Sequence, residues 1–276
     1  AKAATPPPRV PHISYCFTPM RYAWHLRDAY FNGLKAAVLS PLLRRLRDWD
    51  RRVSDRVTHF VAISRTIQNR IQDCYGRDSV VIHPPVDTEF YTPAAVEREG
   101  FYLVVSAFVP YKRFDLAVEA CTKLGKKLIV IGRGPQEAKL KALAGPTVTF
   151  LGWQPDEVIR DHYRRAKALL FPAEEDFGIV PVEAQACGCP VLAFGKGGSE
   201  ETVRPLWQPK PTGILFRDQS VDSVAGAIEE FEAHSEEFDP RDAVKNAQPF
   251  SCDRYERELF DYIDEVIGHD SIRRAA

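Results

Sequence analysis

The chain has 276 residues, with 37 Lys and Arg against 38 Asp and Glu, for a net charge of −1. Apolar residues at 45% and charged residues at 27% are ordinary for folded domains, which excludes a disordered or collagen-like chain. The near-neutral balance argues against a nucleic-acid partner, whose usual footprint is bulk basicity.

In chain order, residues 12–17 read as a buried strand ended by Thr18-Pro19, and 24–37 as a mixed helical pattern. Leu39, Leu42, Leu43, Leu46, Trp49 and Val53 then keep helical spacing. Residues 57–63 form a second strand. Ser64 is an N-cap candidate for a helix through Cys74, closed by Gly76. A short strand over 80–83 stops at Pro84-Pro85. The span 85–100, rich in Pro and acid, reads as a connector. From residue 101 the rhythm is regular. Short apolar strands over 101–106, 127–132, 148–151, 168–171, 190–194 and 213–216 alternate with helices over 114–124, 136–144, 156–166, 178–186, 199–203 and 221–233. That alternation predicts a doubly wound parallel sheet with helices on both faces. Ser251 caps a last helix over 253–267. No run of 18 apolar residues occurs, so no membrane-spanning helix is expected. The Pro-rich start lacks the apolar core of a signal peptide.

The six cysteines show no CxxC pair, and the His and Cys residues lack zinc-ligand spacing, so neither disulfides nor a metal site are expected. Cys187 and Cys189 could form a redox or metal pair, but small residues packed between a helix and a strand explain them more simply. The chain is expected to be cytoplasmic. Its only Met is Met20, and Ala1 is not an initiator, so it reads as part of a longer protein.

In doubly wound sheets, ligands bind at the carboxyl ends of the strands. Three loops there carry the chemistry. After strand 168–171, Glu174, Glu175 and Asp176 crowd a helix start at Gly178, with Glu183 further along the helix. Bare helix-terminal amides attract anions, glycine allows close approach, and carboxylates accept bonds from vicinal hydroxyls. The guest that suits all three is a sugar nucleotide. After strand 101–106, Lys112 and Arg113 precede a helix, where cations oppose the helix dipole, and a bound diphosphate would resolve that conflict. Gly132-Arg133-Gly134 and Gly195-Lys196-Gly197-Gly198 are weak signals on their own. A paired-carboxylate glycosidase is the competing enzyme class for Glu175 and Glu183, but it gives the cationic loop no task.

These residues resemble the retaining glycosyltransferases of family 4, which have the GT-B fold of two Rossmann-like domains. Glu175 and Glu183 stand at that family's E-x7-E spacing, within its Phe-Gly-Ile-Val motif. Val109-Pro110-Tyr111-Lys112-Arg113 resembles its donor-phosphate loop. Ile131-Gly132-Arg133-Gly134-Pro135 and Phe150-Leu151-Gly152-Trp153 match in place and order. Residues 18–24 and 84–87 resemble a mannosyltransferase-like subgroup.

The resemblance implies an α/β GT-B architecture with one complete Rossmann-like donor domain over 101–248. Residues 1–84 would be the remnant of the acceptor-side domain, and the helix over 251–268 would pack back on it. It implies transfer of a hexose, mannose-like, from a nucleotide-diphosphate sugar to a glycan or lipid-linked acceptor, with retention and without a metal or other cofactor. Lys112 would hold the diphosphate, Glu183 the ribose and Glu175 the transferred sugar. Phe177, Gly178, Ile179 and Val180 would offer amides, and Leu151 and Trp153 would lie against the base, with Gly132 and Gly134 in the donor site. The wider family's Arg five residues before the Lys is Ala107 here, and Arg113 is expected to supply part of that charge. A module that binds nucleotide sugar but is inactive without a partner or missing domain is the alternative. Residues 44–56 hold six Arg and three Asp. A basic amphipathic helix over 39–56 can dock at the inner face of a membrane, although the interleaved acids also fit a solvated helix face.

Overall fold

The computed structural model describes residues 2–7, 9–24 and 34–275. The helical pattern expected over 24–37 lies mostly outside them. The chain divides into two compact units, one of residues 1–84 with 255–276 and one of residues 85–254.

The first unit holds a three-stranded parallel sheet in the order β1 (Ile13–Cys16), β2 (His59–Ala62), β3 (Ser79–Val81). Its helices are α1 (Arg21–Trp24), α2 (Leu34–Ser54) and α3 (Arg65–Tyr75). The caps of α3 are those the sequence signals. Ser64 Oγ accepts from the Ile67 N–H at 3.1 Å, and Gly76 closes the helix with φ +65°. Asp50 of α2 is buried and accepts from Lys2 at 2.5 Å, the Tyr75 hydroxyl at 2.7 Å and Trp24 Nε1 at 3.0 Å. A buried carboxylate needs such partners.

The second unit is a six-stranded parallel sheet in the order β6-β5-β4-β7-β8-β9. The strands are β4 (Phe101–Val105), β5 (Lys127–Ile131), β6 (Val148–Gly152), β7 (Ala168–Phe171), β8 (Val191–Phe194) and β9 (Gly213–Phe216). This is the 3-2-1-4-5-6 order of doubly wound nucleotide-binding sheets, and it reverses direction between β4 and β7. Alternate residues on each strand face one core. Tyr102, Val104, Leu128, Val130, Leu170 and Leu192 join it with Val118, Ile228 and Phe231 of the covering helices α4 (Phe114–Leu124) and α9 (Val221–Ala233). On α4 also packs α5 (Glu137–Leu143). The helix α7 (Ile179–Ala186) packs on α6 (Asp156–Arg165), α8 (Ser199–Thr202) and α10 (Pro240–Ala247). The last helix, α11, spans Cys252–Ala275, longer than the span expected.

Residues 85–100, expected as a connector, fold within the second unit. The Arg98 guanidinium donates to the carbonyls of Ala166 and Gly188. The Glu99 N–H reaches the Arg165 carbonyl at 2.7 Å, and Arg164 Nε donates to the Thr92 carbonyl at 2.7 Å. Low periodicity marks a segment without helix or strand, and side chains from elsewhere bind such a segment without leaving a periodic signal. The helix α10 escapes the hydrophobic pattern as well, although Asp239 caps it through the Arg241 N–H and Pro240 opens it.

At the amino ends of the strands, Glu232 accepts from Lys126 at 2.6 Å, Lys167 at 2.7 Å and Tyr102 at 2.9 Å, tying α9 to three strands. Burial pushes its pKa up, but these three bonds outweigh burial and hold it at about 2 instead of 4.5. The stabilisation is therefore present above the ordinary carboxylate range and is lost as pH falls toward about 2. We expect Glu232→Gln to cost about 1 kcal/mol at neutral pH, discounted for its partial exposure, with urea melts of parent and variant converging in acid.

Candidate donor site

The two loops that leave β4 and β7 diverge at the point where the sheet reverses its order, the position that opens a crevice in such sheets. From the first comes Lys112, in a single turn over Pro110–Lys112. From the second comes Glu175. Lys112 Nζ stands 3.2 Å from Glu175 Oε1 and donates to Ser106 Oγ at 3.1 Å. Both side chains are about four-fifths buried, exposed by 19% and 17%. The ion pair joins residues 63 apart in sequence that only the β4–β7 pairing brings together.

Beyond Glu175, Gly178 caps α7 with φ +86°, in the left-handed region that glycine adopts without strain. Among the described residues, the N–H groups of Gly178, Ile179 and Val180 have no backbone acceptor, and Pro181 follows without an N–H. Unpaired amides and the helix dipole at such a terminus favour a negatively charged group. Phe177 contributes differently. Its ring is buried edge-on against Phe250, with centroids 5.5 Å apart, so its side chain anchors the loop.

One turn into α7, Glu183 Oε2 accepts from the Tyr163 hydroxyl at 3.0 Å. Burial pushes the Glu183 carboxyl up to about 7, the Tyr163 hydrogen bond opposes that rise, and Asp156 adds to it. Two residues on, Gln185 is fully buried. Its Nε2 donates to the carbonyls of Pro181 and Thr202, and its Oε1 accepts from Asn246 at 2.7 Å. This satisfied network fixes α7 to α8 and α10. Sequence reasoning missed Gln185 and Tyr163. The one available signal for Gln185 was a polar residue in a helix that is apolar apart from Glu183.

The glycines serve as scaffolding. A Cβ on Gly132 would stand 1.7 Å from the Ser106 carbonyl oxygen, and one on Gly134 would stand 2.6 Å from that of Phe108. The backbone bonds Phe108 N–H to Arg133 O, 2.9 Å, and Gly132 N–H to Gly152 O, 2.7 Å, bind the strand ends of β4, β5 and β6 into one edge. Gly197 and Gly198 do the same for the acidic loop, since Cβ atoms there would meet the Glu175 and Phe177 carbonyls at 2.3 and 1.9 Å. Leu151 accepts from Gln154 Nε2 at 2.8 Å, and Trp153 beside it is exposed by 65%.

Arg113 is turned elsewhere. It sits at φ +53°, and its Nε lies 3.3 Å from Asp115 Oδ1. It lines a cavity of about 300 Å³ with Phe108, Gln136 and Lys139, and neither Lys112 nor Glu175 lines that cavity. Cys187 and Cys189 are buried, and burial pushes the Cys187 thiol up to about 12, so neither is poised as a thiolate.

Residues 86–249, more than half of the chain and the part that carries this site, match the family model described as glycosyl transferases group 1. The chain belongs to that family. Residues 1–90 match the model of Glycosyltransferase Family 4. Among curated relatives of this glycosyltransferase chain is a D-inositol 3-phosphate glycosyltransferase of Mycobacterium sp. strain KMS, 33% identical over 230 residues. The match covers 70% of this chain and 52% of that protein. A GDP-mannose-dependent alpha-(1-6)-phosphatidylinositol monomannoside mannosyltransferase of Mycobacterium tuberculosis H37Rv is 29% identical over 211 residues, covering 65% of this chain and 54% of that one. The chain thus spans about half the length of the relatives it matches. The fold is shared with sucrose-phosphate synthase from Thermosynechococcus elongatus, at a TM-score of 0.75 and 20% identity over 94% of this chain and 68% of that one. The family and the GT-B class expected from the sequence are therefore correct.

Proposed function

We propose that the second unit is the donor-binding half of a retaining glycosyltransferase that takes a hexose, mannose-like, from a nucleotide-diphosphate sugar. The observation that carries this is the meeting of Lys112 and Glu175 at 3.2 Å beside the bare N-terminus of α7. In this reading Lys112 and the amides of Gly178, Ile179 and Val180 hold the diphosphate, Glu183 accepts from the ribose hydroxyls and Glu175 faces the transferred sugar. The exposed Trp153 and the Leu151 backbone lie toward the base, and Arg113 adds charge only on turning away from Asp115. Gly132 and Gly134 serve the donor site by holding the lysine loop.

Cleavage of the glycosyl–phosphate bond leaves growing negative charge on the departing diphosphate and positive charge on the sugar. Lys112 and the dipole of α7 stabilise the first of these where the leaving oxygen departs. The lysine is already in place before any ligand arrives, held by Glu175 and Ser106, so little reorganisation is needed when phosphate replaces part of that pairing. This assignment needs no metal, and donor cleavage in EDTA should match that without it.

The test is a thermal-shift screen of the purified chain with GDP-, UDP- and ADP-sugars. A donor at 100 times its Kd stabilises by about 2.7 kcal/mol. We expect one nucleotide class to raise the unfolding temperature, and Glu183→Ala to remove most of the shift. Indifference of the parent to all three would sink the reading.

For the acceptor, the Mycobacterium tuberculosis relative's name specifies a phosphatidylinositol monomannoside, which makes a lipid-linked or glycan acceptor the leading choice. No helix of the described residues is long and apolar enough to cross a membrane. On α2, Leu42 and Trp49 are exposed beside the exposed Arg44, Arg45 and Arg52. Arg47, Arg51 and Arg56 also bind the carbonyls of Ala23, Cys74 and Ala3, which restrains these side chains without removing their charge. This supports weak peripheral contact at the inner face of a membrane. Flotation with vesicles containing anionic lipid, and not with zwitterionic ones, is the expected result. Equal recovery with both would remove the idea.

A further inference from the structure

Tyr163 lies on α6 with its side chain fully buried, and its hydroxyl donates to Glu183 Oε2 at 3.0 Å. Its ring packs edge-on against Tyr91, with centroids 6.0 Å apart, and Tyr91 is itself buried. A buried phenol O–H requires an acceptor, and a ring confined in this way cannot turn to find another. The hydrogen bond therefore constrains the carboxylate as much as it satisfies the phenol.

We propose that Tyr163 is a positioning residue for donor binding, holding Oε2 of Glu183 so that the carboxylate keeps the rotamer that meets the ribose diol. The proposal rests on the ribose role of Glu183 given above. Two further facts support it. The loops of the site are fixed by backbone contacts, yet Glu183 is a flexible side chain one turn into a helix, and Tyr163 is the side chain shown to hold it. The surroundings also work against an ionised Glu183. Burial and Asp156 of α6 both raise its pKa. Among the described residues, Arg160 donates to the Phe90 carbonyl and Arg164 to Thr92, and no ion pair joins either of them to Glu183. The Tyr163 hydroxyl is the group that favours the charged form, and the charged form accepts two ribose hydroxyls.

The experiment uses the purified chain, calorimetric binding between about pH 6 and 8.5, and four probes. These are GDP-mannose, UDP-glucose and the 2′-deoxyribose counterpart of each. Tyr163→Phe keeps the ring and its packing, and its urea midpoint checks that it folds. We expect Tyr163→Phe to bind the ribose probe about 5–10-fold more weakly than the parent and the deoxyribose probe equally well. The pH midpoint for ribose-probe binding should rise above that of the parent. Carbon-detected NMR of Glu183 in the free protein should show the same upward shift, independently of any nucleotide. Equal losses for ribose and deoxyribose probes, an unmoved Glu183 titration, or no loss at all would each overturn the proposal. Glu183→Gln, measured in parallel, separates the two levels. If Glu183→Gln weakens the ribose and deoxyribose probes equally, or if no probe binds the parent, the underlying ribose reading itself fails. If Glu183→Gln weakens the ribose probe alone and Tyr163→Phe weakens both probes equally or neither, only the role of Tyr163 is lost.

Discussion

Lys112→Ala lowers the affinity of the chain for nucleoside diphosphates roughly 10–100-fold, the range expected when a charge-assisted hydrogen bond of about 1.5–3 kcal/mol is removed. The lysine is four-fifths buried and touches two loops through Glu175 and Ser106, so its charge is directed into the crevice and only weakly screened. Removing it leaves Glu175 Oε1, which has no hydrogen-bond partner of its own, without its counter-charge. A combined Lys112→Ala and Glu175→Gln chain therefore recovers part of any lost stability and none of the phosphate affinity. Isothermal titration with GDP, UDP and ADP gives the first quantity and urea melts give the second. Affinity within twofold of the parent would remove Lys112 from the phosphate site.

Gly132→Ala destabilises the second unit by about 3–5 kcal/mol. Two costs combine. The added methyl collides with the Ser106 carbonyl oxygen, whose loop must then move, and a φ of +137° is a conformation that alanine adopts only under strain. Gly226→Ala provides the opposite control. It lies on the exposed side of α9 with nothing near its missing Cβ, so alanine there stabilises by about 0.5–1 kcal/mol through helix propensity alone. Denaturant midpoints of the two variants should move in opposite directions. A Gly132→Ala chain as stable as the parent would mean that the loops of the site can separate at little cost.

The elements that were legible in the sequence are those whose signals are local. Strands β7 and β9 and helices α4 and α9 run over the residues their apolar period and turn residues predicted, and Ser64 and Gly76 cap α3 as their types require. The acidic loop before α7 was legible as a helix start because its acids and Gly178 carry a local signal in their spacing. What escaped depends on partners distant in the chain. The sequence does not reveal that Arg113 would find Asp115, that Arg98 would bind carbonyls 68 and 90 residues away, or that Tyr163 would reach Glu183. The glycine pairs looked like ordinary turns. Their importance lies in which carbonyl passes beneath them, which sequence spacing does not encode.

The strand order has a kinetic consequence. The strands β4 and β7 are neighbours in the sheet through the pairs Tyr102–Ala168 and Leu103–Leu169, yet β5, β6 and three helices intervene in the chain. Closing that long loop is an entropic cost that the contacts within β4-β5-β6 and within β7-β8-β9 do not bear. Each half of the sheet can assemble from near neighbours, and the seam between them closes afterwards. Lys112 and Glu175 lie on opposite sides of that seam. A nucleotide that bridges them would therefore act on a contact formed late in folding, slowing unfolding far more than it speeds refolding.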